Sequence, residues 1–253
     1  MKTLKTLFIA ILLVAVMPMS AQTADEIINN YFENTGGMEA WGNLQGVRIS
    51  GSVNAQGMDI PVDIYQMKDG KQLVKINLQG QEMTQVAFDG ETMWTTNFMT
   101  MQPEKSDAET TENMKKQMGD FPSPFYNYKE KGFKLELLGK ETKEGAETYK
   151  LKLTQKPLMV DGVEQPNISF HYFDTENFVP IASESEIPSG PMKGQMSMNT
   201  MSDYQEVDGL YFPFDMGMMG QSLVVKEIVL NPEIDPSMFV FPEASTEGEG
   251  SKN

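Results

Sequence analysis

Few side chains in this sequence of 253 residues could carry out chemistry. It contains no Cys and a single His, His171. Thiol catalysis, disulfides, thiolate metal sites and Cys-linked lipid anchors are therefore excluded, as are metal sites with two His ligands. A Ser-His-Asp triad would have to use His171, which we expect to be exposed on a strand, opposite the apolar Ile168, Phe170 and Tyr172. We find no motif around it, and predict a non-enzymatic protein with no catalytic residue and no cofactor.

Methionine is the unusual component of the chain, with 21 residues in total. Several pairs fall at strand spacing, among them Met196 and Met198. Thioethers are soft ligands that suit Cu(I), but methionine is also an adaptable filler of apolar walls. Because the methionines are spread along the chain and His171 stands apart from them, we favour cavity or core lining and predict no metal site. A Met-rich Cu(I)-binding protein remains the alternative.

Charge limits the partners that the protein can have. The chain has 20 Lys and Arg against 36 Asp and Glu, a net charge of −16. Such a balance repels phosphate, so we predict no binding to nucleic acid and no electrostatic attraction to anionic lipid. Apolar residues make up 40% of the sequence, which is enough for a packed core.

The two ends of the chain differ from its middle. Lys2 and Lys5 precede a ten-residue apolar run, and Met19-Ser20-Ala21 resembles a cleavage site. This pattern predicts an export signal over residues 1–21. Without a Cys at that point we expect a soluble periplasmic protein that is not lipidated and makes no stable insertion into a membrane. One domain is expected over 22–243, followed by a disordered acidic tail over 244–253.

Within that domain the apolar period changes from helical to strand-like. A capping box at Thr23-Ala24-Asp25-Glu26 opens an amphipathic helix that ends at Gly36-Gly37. From Val47 onward apolar residues alternate with polar ones, and Asp-Gly turns separate the runs. The fold class predicted is mainly β with some α: a curved antiparallel sheet, or an unclosed β-barrel, of about 10 or 11 strands.

One segment, residues 97–128, lacks the strand period. A second capping box, beginning at Ser106, predicts a mostly polar helix to about Met118. Pro122 and Pro124 then frame a short aromatic cluster. A weakly amphipathic helix packs weakly, so the insert is a candidate for a mobile lid, although a plain surface crossover explains it equally well.

The order of several short motifs resembles the LolA/LolB-like superfamily of periplasmic lipoprotein carriers and outer-membrane lipoprotein-sorting proteins. The carrying features are the helix beginning Ala24-Asp25-Glu26-Ile27-Ile28, the pair Gly36-Gly37, the hairpin Phe88-Asp89-Gly90-Glu91-Thr92-Met93-Trp94, the Pro/Phe insert, and the late motifs Phe173-Asp174, Pro180-Ile181, Asp203-Tyr204, Asp208-Gly209 and Asn231-Pro232-Glu233-Ile234-Asp235. The likeness spans roughly residues 24–243. In that family a helix-covered, unclosed barrel takes up acyl chains. The family's carrier has an arginine after the second hairpin, where this chain has Met67-Lys68-Asp69-Gly70-Lys71.

The resemblance and the strand pattern together predict a soluble carrier or sensor, and a monomer, for an acyl chain, lipid or lipoprotein. Envelope lipoprotein-handling proteins are the expected partners. The apolar ligand-binding cavity would be lined by Ile60, Val62, Ile64, Val74, Ile76, Leu78, Trp94, Met196, Met198, Phe212 and Phe214. The lid would contain Phe98, Met99, Met101, Met114 and Met118. A third possibility is an envelope interaction module whose sheet interior is solidly packed.

Overall fold

The computed structural model describes residues 22–55, 57–218 and 220–242. The predicted export signal and the predicted C-terminal tail lie outside these residues, so the structure bears on neither prediction. Within the described chain, no helix is long and apolar enough to cross a membrane.

The described residues form three α-helices and thirteen β-strands. The helices are α1 (Ala24–Asn34), α2 (Met38–Asn43) and α3 (Ala108–Gln117). The strands are β1 (Gly46–Ala55), β2 (Met58–Met67), β3 (Gln72–Leu78), β4 (Gln81–Phe88), β5 (Met93–Asn97), β6 (Gln102–Lys105), β7 (Lys134–Lys143), β8 (Ala146–Val160), β9 (Val163–Asp174), β10 (Pro180–Glu186), β11 (Met196–Val207), β12 (Leu210–Met218) and β13 (Gln221–Leu230). Single 3₁₀ turns follow α3, at Met118–Asp120, and β13, at Pro236–Phe239.

All thirteen strands belong to one antiparallel sheet in the order β6-β5-β4-β3-β2-β1-β13-β12-β11-β10-β9-β8-β7. The edge strands β6 and β7 do not pair, so the sheet is not closed, and the predicted fold class is confirmed. The strand count exceeds the expected 10 or 11. Strand β6 cannot be predicted from the apolar pattern, because its residues, Gln-Pro-Glu-Lys, do not alternate between apolar and polar.

The sheet curves around α1 and α2. Val62 of β2 and Leu151 of β8 belong to one buried cluster, although six strands separate β2 from β8 in the sheet. Ile27 and Phe32 of α1 lie at its centre with no exposed surface. The concave face of the sheet therefore carries the main core, and α1 and α2 cover it at one end.

A second, smaller cluster lies on the opposite, convex face. Leu73, Ala87 and Trp94 of β3, β4 and β5 are covered there by Phe239 from the C-terminal 3₁₀ turn. The indole N–H of Trp94 donates to the Phe239 carbonyl oxygen at 2.9 Å. This hydrogen bond satisfies both buried groups and fastens the C-terminal segment to the sheet.

The helical end of the core is held by specific capping contacts. The predicted capping box at Thr23 and Glu26 is present, with both reciprocal hydrogen bonds formed. Gly36 follows α1 with φ +115°, and a Cβ placed on it would lie 2.3 Å from the Gly209 carbonyl oxygen. Only glycine allows this close approach of α1 to the β11–β12 turn.

Candidate ligand-binding hollow

A hollow of about 260 Å³ lies between the concave face, the two N-terminal helices and the segment that follows α3. No Asp, Glu, Lys or Arg lines it, although 22% of the sequence is charged. Its wall consists of Tyr31, Trp41, Val47, Ile49, Gln66, Phe121, Pro122, Ser123, Pro124, Phe125, His171, Pro180, Ser183, Met201 and Phe212. The hollow is apolar, with a few neutral polar groups that could orient a ligand.

Most of the predicted cavity residues lie on the concave face. Paired residues of neighbouring strands share a face, and Ile64 pairs with Ile49 on one side and Val74 on the other, while Val62 pairs with Ile76. Val62 and Phe212 are buried in the core. The others on this face keep part of their surface accessible: Ile60, Ile64, Val74, Ile76, Leu78 and Phe214. The helices therefore leave part of the apolar concave face uncovered.

Three predicted cavity residues do not lie on the concave face. Trp94 lies in the convex cluster. Met196 and Met198 of β11 pair with Glu186 and Glu184 of β10, and both methionines are exposed. The sequence of β10, Ser183-Glu184-Ser185-Glu186, could have indicated this. Its glutamates lie on the solvent side and its serines on the concave side, so residues of β11 that pair with the glutamates face solvent.

The predicted lid is divided in two by the structure. Phe98, Met99 and Met101 occupy the β5–β6 connection and are exposed, Met99 to 95%. Met114 and Met118 are on or directly after α3 and are partly buried, with Met118 packed against Gly70. Helix α3 itself begins one residue later than predicted, because Asp107 rather than Ser106 is its N-cap.

Residues 121–125 form a wedge between α1 and the sheet. Phe125 is buried and makes edge-on contacts with Tyr31, His171 and Phe173, with ring centroids 6.4, 4.8 and 5.2 Å apart. Farther along the segment, Lys129 pairs with Asp25 of α1 at 2.7 Å. The hydrogen bonds from Lys129 and Tyr128 lower the pKa of the Asp25 carboxyl. The wedge is therefore part of the wall of the hollow. Its packing on Tyr31, together with the ion pair of Lys129, holds the insert against α1.

His171 faces the hollow, which corrects the expectation that it is exposed on the outer face. It pairs with Leu151 and Ser183, and the apolar alternation Ile168, Phe170, Tyr172 lies on the convex side instead. Its Nε2 is 2.8 Å from the Ser169 hydroxyl oxygen. Burial lowers the pKa of His171 to about 4, so the ring is neutral at pH 7 and adds no charge to the hollow.

Polar groups accumulate at the base of the wedge. The Asp120 carboxyl accepts from Gln155 at 2.9 Å, and burial raises its pKa. Lys131 donates to the Ser123 carbonyl oxygen at 2.9 Å, and burial lowers its pKa to about 8. These contacts hold the wedge in place from below while its aromatic side chains face the hollow.

Helix α3 crosses the gap between the two edges of the sheet. Asn113 pairs with the backbone of Met159 in β8, donating to its carbonyl oxygen at 2.7 Å and accepting from its N–H at 2.8 Å. The Glu109 carboxylate accepts from the N–H groups of Asp161 and Gly162 at the β8–β9 turn. On the other side, Lys115 pairs with Glu91 of the β4–β5 turn at 3.0 Å.

These contacts define α3 as a clasp made of polar side chains. No residue of α3 is fully buried. Each polar contact that is exposed to water stabilises the closed position only slightly. The free energy needed to open the clasp is therefore small.

Solved structures of similar fold are consistent with this geometry. A LolA superfamily protein from Nitrosomonas europaea superposes with a TM-score of 0.52 at 16% identity, covering 87% of this chain and 98% of that one. The chain has a LolA-like fold. A DUF1329 family protein from Desulfovibrio piger gives 0.52 at 12% identity, covering 86% and 97% of the two chains. A domain described as an outer membrane lipoprotein-sorting protein, from Vibrio parahaemolyticus, gives 0.51 at 13%, covering 85% and 94%. No protein-family model and no curated protein matches the sequence.

The single histidine of this LolA-like chain reports directly on the hollow. In a proton NMR titration, the His171 ring is expected to titrate with a midpoint near pH 4, because burial disfavours its charged form. The unfolded chain binds this proton near pH 6.5, so the contribution of His171 to the free energy of unfolding falls as pH drops from about 6.5 to 4. A midpoint near 6.5 in the folded protein would place the ring in water.

Removal of the Asn113 amide should loosen the clasp. Asn113→Ala deletes both hydrogen bonds to Met159, so backbone amides of α3 are expected to exchange with deuterium about ten-fold faster, equivalent to about 1.4 kcal/mol. Thr111→Ala on the same helix is the matched control and should leave the exchange near its original rate. Equal rates in Asn113→Ala and the unmodified protein would contradict the assignment of α3 as a clasp held by this residue.

Proposed function

We propose that this protein binds the acyl chain of a lipid or lipoprotein in the hollow and carries it through water. The observation that carries the proposal is the uncovered apolar concave face, where Ile60, Ile64, Val74, Ile76 and Leu78 keep part of their surface accessible. Covering such apolar surface lowers the free energy of the protein, because the surface is removed from water. A hydrocarbon chain can cover it without needing any hydrogen-bonding partner.

The size of the hollow supports a chain-like ligand rather than a large rigid one. A cavity of roughly 150 Å³ suffices for benzene in an engineered protein, and pockets for drug-sized ligands begin at roughly 300 Å³. At about 260 Å³ the hollow accepts part of an acyl chain as it stands. The rest of the chain would lie along the partly exposed residues of the concave face.

A carrier of this kind acts by removing a transfer barrier. Each methylene group costs roughly 0.8 kcal/mol to expose to water, so a long acyl chain does not cross an aqueous compartment unassisted at a useful rate. The lining of the hollow contains no charged group, although the sequence has 36 Asp and Glu residues. The acyl chain thus moves in an apolar interior within a water-compatible shell.

Loading requires access, and the clasp supplies it. Opening α3 breaks side-chain hydrogen bonds and one ion pair but exposes little apolar surface, since α3 contributes no fully buried residue. The Phe121–Phe125 wedge follows α3 in the chain but stays in place, because Phe125 packs on Tyr31 and Phe173. We therefore assign α3 the role of a gate for the ligand.

We further propose that the protein acts in the periplasm, in the handling of outer-membrane lipoproteins. The support is the export-signal pattern in residues 1–21 together with the fold shared with a LolA superfamily protein and a lipoprotein-sorting domain. The region where the family resemblance leads one to expect the carrier arginine reads Met67-Lys68-Asp69-Gly70-Lys71 and contains no Arg. Diacyl lipids and fatty acids are therefore cargo of equal standing with lipoproteins.

Filling the hollow should abolish binding without unfolding the protein. Ser183 lines the hollow, so Ser183→Phe is expected to reduce the affinity for a fluorescent long-chain fatty acid by about ten-fold or more, because the new ring occupies the space that the chain needs. Ser202→Phe, on an exposed position of β11, adds the same group outside the hollow and serves as the control.

The readouts are fluorescence titration and native mass spectrometry of protein purified from its own envelope, with circular dichroism to verify the fold. A bound lipid is expected on the unmodified protein and on Ser202→Phe. Equal affinity of the two variants, or an unmodified protein that takes up no fatty acid, would refute the proposed function.

A further inference from the structure

The two ends of the sheet differ in charge. Antiparallel pairing places the β2–β3, β4–β5, β7–β8, β9–β10 and β11–β12 connections at one end. Each of these carries at least one charged residue, for example Asp69, Glu91, Glu144, Glu176 and Asp208. We call the opposite end the apolar rim. It consists of the connections β1–β2, β3–β4, β5–β6, β8–β9, β10–β11 and β12–β13 together with the strand residues that flank each connection directly.

The apolar rim contains three ionisable residues: Asp161 in the β8–β9 turn, Lys193 in the 187–195 loop, and Glu186, which flanks that loop. The Lys193 Nζ lies 3.3 Å from a carboxylate oxygen of Asp161, so these two charges offset each other. In a chain with a net charge of −16, this end of the sheet therefore carries little net charge.

The apolar rim concentrates exposed apolar side chains. Of fourteen large hydrophobic residues exposed among the described residues, eight lie there: Met58, Phe98, Met99, Met101, Val163, Met192, Met196 and Met218. Met99, at the tip of the β5–β6 connection, is 95% exposed. Exposed apolar groups gathered in one place mark a contact surface, whereas scattered ones do not.

Two apolar stripes connect the rim to the hollow. On β2 the inward-facing residues run Ile64, Val62, Ile60 and end at Met58 on the rim. On β12 they run Phe212, Phe214, Met216 and end at Met218. Because alternate residues of a strand share a face, each stripe is an uninterrupted apolar track from the wall of the hollow to the rim.

We propose that the apolar rim is the surface by which the protein docks on a lipid bilayer, with the β5–β6 tip inserted at the interface. A bilayer is the occupant that suits these residues, because flexible methionines and one Phe cover hydrocarbon of variable shape and need no complementary charge. The low net charge of the rim reduces the repulsion that the rest of this acidic protein would experience at lipid phosphates. The tracks then lead an acyl chain from the bilayer into the hollow, a step that rests on the proposed function.

Vesicle flotation tests the docking surface separately from ligand uptake. Full-length protein is mixed with vesicles of zwitterionic phosphatidylcholine. The double variant Phe98→Glu/Met99→Glu should lower the partition coefficient by about ten-fold or more, since two apolar side chains no longer enter the interface. The control, Leu138→Glu/Val240→Glu, adds the same charge at exposed apolar positions outside the rim and should bind like the unmodified protein.

Salt and lipid charge give a second readout. Binding to neutral vesicles should be unchanged when salt is raised, because it does not depend on charge, and adding phosphatidylglycerol should weaken it at low salt. The proposal is overturned if the unmodified protein fails to float with phosphatidylcholine vesicles, if the rim and control variants lose binding equally, or if binding requires anionic lipid.

Uptake of a monomeric fluorescent fatty acid from solution, without vesicles, separates this proposal from the proposed function. The rim variant should take up the fatty acid like the unmodified protein, because its hollow is unchanged. Flotation without any uptake by the unmodified protein would refute the proposed function and leave docking standing, whereas uptake without flotation would refute docking alone.

Discussion

The structure depends on a mismatch between the width of its sheet and the helices that cover it. Thirteen antiparallel strands present a broad apolar concave face, while α1 and α2 span 11 and 6 residues. Helices of that size bury Val62 and Phe212 but leave their neighbours Ile64 and Phe214 partly accessible. Continuous hydrogen-bonded pairing across the thirteen strands limits how far the sheet can fold onto itself to remove this space. The hollow follows from this constraint, and the wedge and the clasp act at its borders.

The elements around the hollow divide into a fixed part and an openable part. Aromatic packing among Tyr31, Phe32 and Trp41 fixes the helices, and the Trp41 indole N–H is satisfied by Thr35. The clasp, in contrast, relies on the side-chain hydrogen bonds of Asn113 and Glu109 and on the ion pair between Lys115 and Glu91. Stability is thus concentrated where the wall must be permanent and is low where a ligand must enter, as expected when local opening is part of function.

The sequence predicted the fold class, the N-terminal helix with its cap and the hairpin at Asp89-Gly90, because each depends on a local signal. It failed where the facing of a strand depends on its neighbours. In β9, the alternation predicts that His171 faces solvent, because Ile168 and Tyr172 resemble a core set, yet Tyr172 packs beside lysines on the convex face. The alternation also predicts Trp94 in the hollow, whereas Trp94 lies on the convex face, where a C-terminal segment distant in sequence covers it. Alternation alone gives two faces without saying which one the chain will enclose.

The opposite placement of the two tryptophans allows the central claim, an apolar ligand on the concave face, to be tested directly. Trp41 lines the hollow, whereas Trp94 lies on the convex side. The measurement is quenching of tryptophan fluorescence by a fatty acid brominated along its chain, on the unmodified protein and on Trp94→Phe. Saturating ligand should quench a larger fraction of the emission in Trp94→Phe, where only Trp41 emits. A smaller fraction in Trp94→Phe than in the unmodified protein, or no quenching of Trp41 at saturation, would contradict a hydrocarbon ligand in the hollow.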